Sequence, residues 1–290
     1  MRGAEHAFKS LLRWTIEVEW PAHATFMPEG ERDAFADYYR KLPRAGDEAA
    51  IERYLRGYWR GESGWTARWI AARAAARPGP VRVMDAGSGF GTFAMLYAAV
   101  GGEVIAADLR PDRLHAADLR IGFHAEKTGQ RLAVRQLRAD LTRPWDDEVD
   151  LVWVYNALSH IDPLEGFLAE VRRRLRPGGV LVIGDINGAH PAHLARLAGV
   201  RSEVHQEYVA PDGTRHAYAV ERTFPPRELR EIMAVNGLRV VHHELYWGGM
   251  GVLPDPLYAT LRLLQTRWSL GHSRARRQLL VATPAGAVGA

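Results

Sequence analysis

Val81-Arg82-Val83-Met84-Asp85-Ala86-Gly87-Ser88-Gly89-Phe90-Gly91 is the stretch that decides the fold. It begins as a short apolar strand. It then passes through an acidic residue into glycines at alternate positions, Gly87, Gly89 and Gly91. The apolar run after them, Thr92 to Val100, reads as a helix. A strand, a glycine loop and a helix start in this order present backbone N–H groups to a ligand at the carboxyl end of a parallel strand. The spacing differs from the G-x-G-x-x-G of a dinucleotide fingerprint. Thr92 stands where that pattern needs its third glycine, and the last glycine comes one residue early.

Downstream, strands and helices alternate, the mark of a doubly wound α/β sheet. Gly102–Asp108 is the second strand and ends in an acid. Pro111–Thr128 is a helix, and Leu132–Leu137 a third strand running into Ala139-Asp140-Leu141. Asp150–Asn156 is nearly continuous in apolar residues, as a strand buried on both faces should be. After it come Ala157-Leu158-Ser159-His160-Ile161-Asp162-Pro163, a helix over Pro163–Leu175, and a turn at Pro177-Gly178-Gly179 that opens a fifth strand ending at Asp185.

The pattern D-x-G-x-G-x-G, met by Asp85, Gly87, Gly89 and Gly91, resembles the first motif of the class I S-adenosylmethionine (SAM)-dependent methyltransferases. The acid of the second strand, the Ala139-Asp140-Leu141 segment, the loop after strand four and the L-x-P-G-G turn at Leu175–Gly179 resemble that family's later motifs, in order. In pattern the chain is most similar to the small-molecule methyltransferases of ubiquinone and menaquinone synthesis. The resemblance implies a mostly parallel, seven-stranded Rossmann-like sheet whose last strand is antiparallel. It implies SAM as cofactor, with Asp85, Gly87, Ser88, Gly89 and Gly91 around its methionine half. Asp108, with Leu109 beside it, would take the ribose hydroxyls, where charge-assisted hydrogen bonds contribute about 1.5–3 kcal/mol each. Asp140 and Leu141 would meet the adenine, and Asn156 the methionine part or the acceptor.

Residues 1–78 read as a helical extension and 79–290 as the SAM-binding domain. The extension's helices are expected over Ala4–Val18, Arg32–Lys41, Glu48–Trp59 and Gly64–Arg77, with breaks at Pro21, Pro28, Pro43–Gly46 and Gly61–Gly64. Its many aromatics suit core packing. They also suit a lid over the methyl-acceptor pocket, with Tyr38, Tyr39 and Trp59 as walls. Two insertions are expected over the active site. Residues 187–225 contain a β-hairpin turning at Pro211-Asp212-Gly213-Thr214, and residues 246–277 contain Trp247, glycines Gly248, Gly249 and Gly251, and a helix over Pro256–Trp268. Between them a helix over Pro226–Asn236 precedes a strand over Leu238–Leu245, and Gln278–Ala282 is the last strand.

Chemistry narrows from there. The sulfonium of SAM is an activated methyl donor, so alignment with the acceptor and exclusion of water can supply roughly 7–11 kcal/mol. If the acceptor must lose a proton, His160, four residues beyond Asn156, is the candidate general base, since imidazole exchanges protons near neutral pH. The absence of cysteine excludes disulfides and thiolate chemistry. The histidine pairs His190/His193 and His242/His243 lack a third ligand, and strand five offers Asp185-Ile186-Asn187 rather than an adjacent acid–amide pair, so no metal site is expected. No stretch approaches the roughly 20 apolar residues of a membrane span, and a cytoplasmic location is the default. The net charge of +4 and pI near 9.5 raise nucleic acid as a partner. However, only Lys9, Lys41 and Lys127 among 38 basic residues are lysine, and the arginines are spread along the chain with many alanines, as a compositional bias spreads them. A small-molecule methyl acceptor is therefore favoured, with the enzyme a monomer or homodimer. The alternatives are an RNA or protein methyltransferase, a SAM-binding protein without transfer activity, and an oxidoreductase.

Overall fold

The computed structural model describes residues 2–198, 206–209, 213–218, 222–247, 251–254, 256–261 and 275–286. The chain divides into two compact units, Met1–Arg138 and Ala139–Ala290.

The first unit opens with helix α1, Arg2–Trp14, which buries Phe8, Leu11 and Leu12 at helical spacing. The helical run does not stop at Pro21. It widens through a π-helical turn, Thr15–Glu19, and continues into α2, Trp20–Phe26. Proline is tolerated because it lies in the first turn of α2, where its missing N–H is not needed. The break comes at Met27, which is extended as a residue before proline should be. Helices α3, Glu29–Tyr39, α4, Glu48–Arg60, and α5, Glu62–Ala76, follow. Asp47 caps α4 by accepting a hydrogen bond from the Ala50 N–H at 3.0 Å. The expected break at Gly61–Gly64 narrows to Gly61. Gly64 sits in the first turn of α5, where an added Cβ would lie 1.8 Å from the Trp59 carbonyl oxygen.

Strands β1, Val81–Ala86, β2, Gly102–Asp108, and β3, Val134–Arg138, are parallel in register. Helices α6, Thr92–Ala99, and α7, Pro111–Thr128, connect them. Strand β2 and α7 keep the expected bounds; β3 starts two residues later than expected. Helix α6 is buried from Phe93 to Tyr97. It packs against β2, α1 and α5, and α5 also contacts β1 and β2, so the N-terminal helices share a core with the first strands.

In the second unit β4, Val149–Tyr155, is buried along all but its last residue. A one-turn 3-10 helix, Leu158–His160, and helix α8, Leu164–Arg174, lead to β5, Leu175–Ile186, which runs parallel to β4. Helix α9, Pro191–Ala198, precedes a separate antiparallel pair, β6, Gln206–Val209, and β7, Arg215–Tyr218. This is the expected hairpin; of its turn, Pro211 and Asp212 lie outside the described residues. Helix α10, Pro226–Val235, is followed by Gly237 in the left-handed conformation. Strands β8, Leu238–Tyr246, and β9, Arg277–Pro284, close the unit, with β9 antiparallel to both β5 and β8. The sheet order is β3-β2-β1-β4-β5-β9-β8, the doubly wound order with an antiparallel last strand. Of the 246–277 insertion, residues 256–261 are helical. Gly248, Gly249 and residues 262–274 lie outside the described residues. Among the described residues no helix is long and apolar enough to cross a membrane.

Candidate active site

In the first unit the glycine loop is built as its residues require. Gly87, Gly89 and Gly91 have φ of +74°, +52° and +73°, a conformation that costs other residues roughly 1–2 kcal/mol. Gly91 has a second reason: a Cβ there would lie 2.9 Å from the Ala117 Cβ of α7. The N–H groups of Gly87 and Ser88 both donate to the Ala107 carbonyl, at 2.8 and 3.0 Å, which ties the loop to β2.

Asp85, at the end of β1, is only 2 % exposed. Among the described residues nothing hydrogen-bonds its Oδ2, nor the buried Ser88 Oγ. Burial pushes the Asp85 carboxyl up to about 8; the Ala94 N–H opposes the shift, and the charge of Asp108 adds to it. A buried acid with an unsatisfied oxygen is costly unless a donor or cation arrives. Asp108 is also raised, again chiefly by burial, and is held down by the N–H groups of Arg110 and Gly89 and by the charges of Arg113 and Arg110. Its Oδ2 accepts from Gly89 N–H at 2.8 Å and its Oδ1 from Arg110 N–H at 2.9 Å. Each carboxylate oxygen has two acceptor positions, so both retain capacity for a hydroxyl. Leu109 is half-buried beside it.

The expected pocket walls separate in this unit. Tyr39 is buried and its hydroxyl pairs with Thr92 Oγ1. Trp59 packs on Phe8, ring centroids 5.5 Å apart, with the Arg68 guanidinium 5.1 Å over its ring. Tyr38 lies in α3, but its side chain is outside the described set.

In the second unit Asp140 Oδ1 accepts from the N–H and the hydroxyl of Thr142, at 3.0 and 2.6 Å. Leu141 beside it is buried. His216, on β7, brings its Nδ1 to 3.8 Å from Asp140 Oδ2, and neither of its buried ring nitrogens has a hydrogen-bond partner among the described residues. The hairpin thus reaches the acid to which the resemblance assigns adenine. Asn156, just past β4, is the one described non-glycine residue with positive φ, +51°. Asparagine tolerates this backbone better than most residues. The Asn156 N–H donates to the Gly184 carbonyl at 3.1 Å. Its Oδ1 accepts from Arg277 Nη1, also at 3.1 Å, and that guanidinium lies 4.5 Å over the Tyr155 ring. His160 ends the 3-10 turn after β4 and is half-buried. Arg222 holds the following segment by donating to the Ile161 carbonyl at 2.8 Å. Asn187, past β5, is wholly buried and bridges the Ala275 carbonyl and the Ala189 N–H. Trp247, past β8, is 37 % exposed.

Residues 84–183, which contain Asp85, the glycine loop, Asp108, Asp140, Asn156 and His160, match the model of a family described as a methyltransferase domain. These residues are similar to a methyltransferase domain. The chain is 28 % identical over 206 residues to a ubiquinone biosynthesis O-methyltransferase of Rhizobium rhizogenes, spanning 71 % of this chain and 74 % of the relative. It is 27 % identical over 203 residues to one of Methylocella silvestris, spanning 70 % of each. In fold it is similar to the magnesium protoporphyrin IX methyltransferase of Synechocystis with bound S-adenosylhomocysteine (SAH), at a TM-score of 0.54 and 15 % identity over 88 % of this chain and 96 % of the other.

Sequence reasoning missed His216 and Arg277, for which nothing local gives a signal. It also missed Arg120. That residue shares a helical face with Ala116, Ala117, Phe123 and His124, all buried. An arginine on the apolar side of a helix is a legible sign of a buried charge.

Proposed function

We infer that this chain is a SAM-dependent methyltransferase that transfers a methyl group to an oxygen atom of a small-molecule acceptor. The observation that carries the reading is the pair of buried, unsatisfied oxygens, Asp85 Oδ2 and Ser88 Oγ, on a loop whose three alternate glycines take left-handed backbone. They fit the ammonium and carboxylate end of an amino acid, which is the methionine half of SAM. Asp85 and Ser88 would hold that end, Asp108 with Leu109 the ribose, and Asp140 with Leu141 the adenine. Oxygen as the attacking atom is supported by the curated relatives, which carry O-methyltransferase in their names.

When bound, SAM supplies a methyl group already activated on a sulfonium. The chain's own residues then have three tasks. Asn156, held by Arg277, orients the reacting groups beside β4. His160 accepts the proton of the acceptor hydroxyl. Residues 1–78 serve as the lid and 79–290 as the catalytic domain, with Trp247 toward the acceptor and the two insertions excluding water. Calorimetry tests the cofactor half: SAH should bind once per chain and NAD not at all, and NAD binding without SAH overturns the reading. Methyl-labelled SAM tests the acceptor half. Label should pass to a phenol such as catechol; passage to tRNA or protein instead would establish a macromolecular acceptor.

A further inference from the structure

Arg120 is wholly buried in the middle of α7. A buried guanidinium must be paired and its donors satisfied, and the partners here come from two distinct parts of the first unit. From the N-terminal helices, Glu19 meets it in a two-point ion pair, Nε to Oε1 at 2.6 Å and Nη2 to Oε2 at 2.9 Å, with Glu19 itself fully buried. Glu19 is the last residue of the π-helical turn, a distortion that recurs at functional positions. The rings of Phe35 and Tyr39 lie 5.5 and 5.0 Å from the guanidinium carbon. From the glycine loop, Arg120 Nη1 donates to the Phe90 carbonyl and, at 2.9 Å, to Thr92 Oγ1, which also pairs with the Tyr39 hydroxyl.

The same connection is made by apolar surface. Phe90 is the aromatic residue of the loop, and it is buried in a cluster with Met27, Phe35, Tyr39 and Ala116. Phe35 meets it edge-on, ring centroids 5.5 Å apart. The loop therefore rests on the segment 19–39 through its one aromatic side chain and through one charged hub.

From this we propose that Arg120, Glu19 and Tyr39 are positioning residues for the cofactor loop, and that docking of the N-terminal helices and cofactor binding are thermodynamically linked. The proposal rests on SAM being the ligand of that loop. The linkage is reciprocal by necessity. If docked helices hold Phe90 and Thr92 in the binding geometry, cofactor on the loop stabilises the docked helices by the same factor. The N-terminal segment is then part of the cofactor site as well as a cover.

The test uses SAH, calorimetry and hydrogen exchange, none of which needs the acceptor. Tyr39→Phe removes one hydroxyl and should weaken SAH about threefold to tenfold. Arg120→Met alone leaves Glu19 buried and unpaired and can prevent folding, so the decisive variant is the double Glu19→Met/Arg120→Met. Apolar side chains of similar volume keep such a core folded. It should fold and bind SAH at least tenfold more weakly than wild type. Ile51→Ala, buried in α4 away from the loop, should lower the melting temperature with SAH affinity within twofold of wild type. SAH should slow exchange over residues 15–39 in wild type and not in the double variant. Wild-type binding together with a folded double variant of unchanged affinity, or unchanged exchange over 15–39, overturns the proposal. Failure of wild type to bind SAH overturns the cofactor reading on which it rests.

Discussion

With Asp85 as the proposed ammonium site, its protonation sets a condition on cofactor binding. Its carboxyl, raised to about 8 chiefly by burial, is protonated in the ligand-free protein at neutral pH. The ammonium of an amino-acid ligand needs the ionised form, so binding must expel that proton. SAH affinity should therefore rise between pH 6 and 7.5, approaching tenfold per pH unit, and binding at pH 7 should release nearly one proton. Calorimetry in buffers of different ionisation enthalpy reads that proton directly, and Asp85→Asn should abolish it. Binding without buffer dependence would remove Asp85 from the ammonium site. The backbone setting of the acid and the glycines was legible in the sequence, because a left-handed backbone and a strand end are properties of neighbouring residues. The pairing of Asn156 with Arg277 was not, since it joins residues 121 positions apart.

The loop and the helices on either side act as one element. Gly91 both adopts φ of +73° and lets α7 approach through Ala117. Gly91→Ala combines a left-handed alanine, which costs about 1–2 kcal/mol, with a contact too short to keep. It should lower the melting temperature by several degrees and weaken SAH by more than tenfold; a variant with wild-type values for both would show that the loop has room to shift. Most element bounds followed from local pattern, as with β2 and α7. The exception is the run through Pro21. Proline ends a helix only where its N–H is required, and the π-helical turn before α2 places it where none is. That turn also sets Glu19 toward Arg120, so the misread break and the missed buried pair have a single cause.

For the molecule as a whole, the raised acids give ligand-free stability a definite slope with pH. Between about 4 and about 8 the native protein holds a proton on Asp85 that the unfolded chain has released. The contribution of this group is therefore greatest below about 4 and is lost as pH rises through about 8. Asp108 is shifted in the same direction, also chiefly by burial. Thermal melts of wild type minus Asp85→Asn should show this loss between pH 5 and 7.5, and parallel curves would contradict the buried, protonated acid. Excess SAH should offset the loss, since a ligand at 100 times its Kd stabilises by about 2.7 kcal/mol. What the sequence determined by itself was the order of strands and helices and the glycine loop. Those depend on backbone preferences and apolar periodicity within a few residues. Only the tertiary structure decided which distant groups meet. Glu19 and Arg120 are 101 positions apart, and His216 reaches Asp140 from a hairpin 76 positions along the chain. Such contacts come from how the elements dock, and docking is governed by buried area and charge pairing that no local pattern encodes.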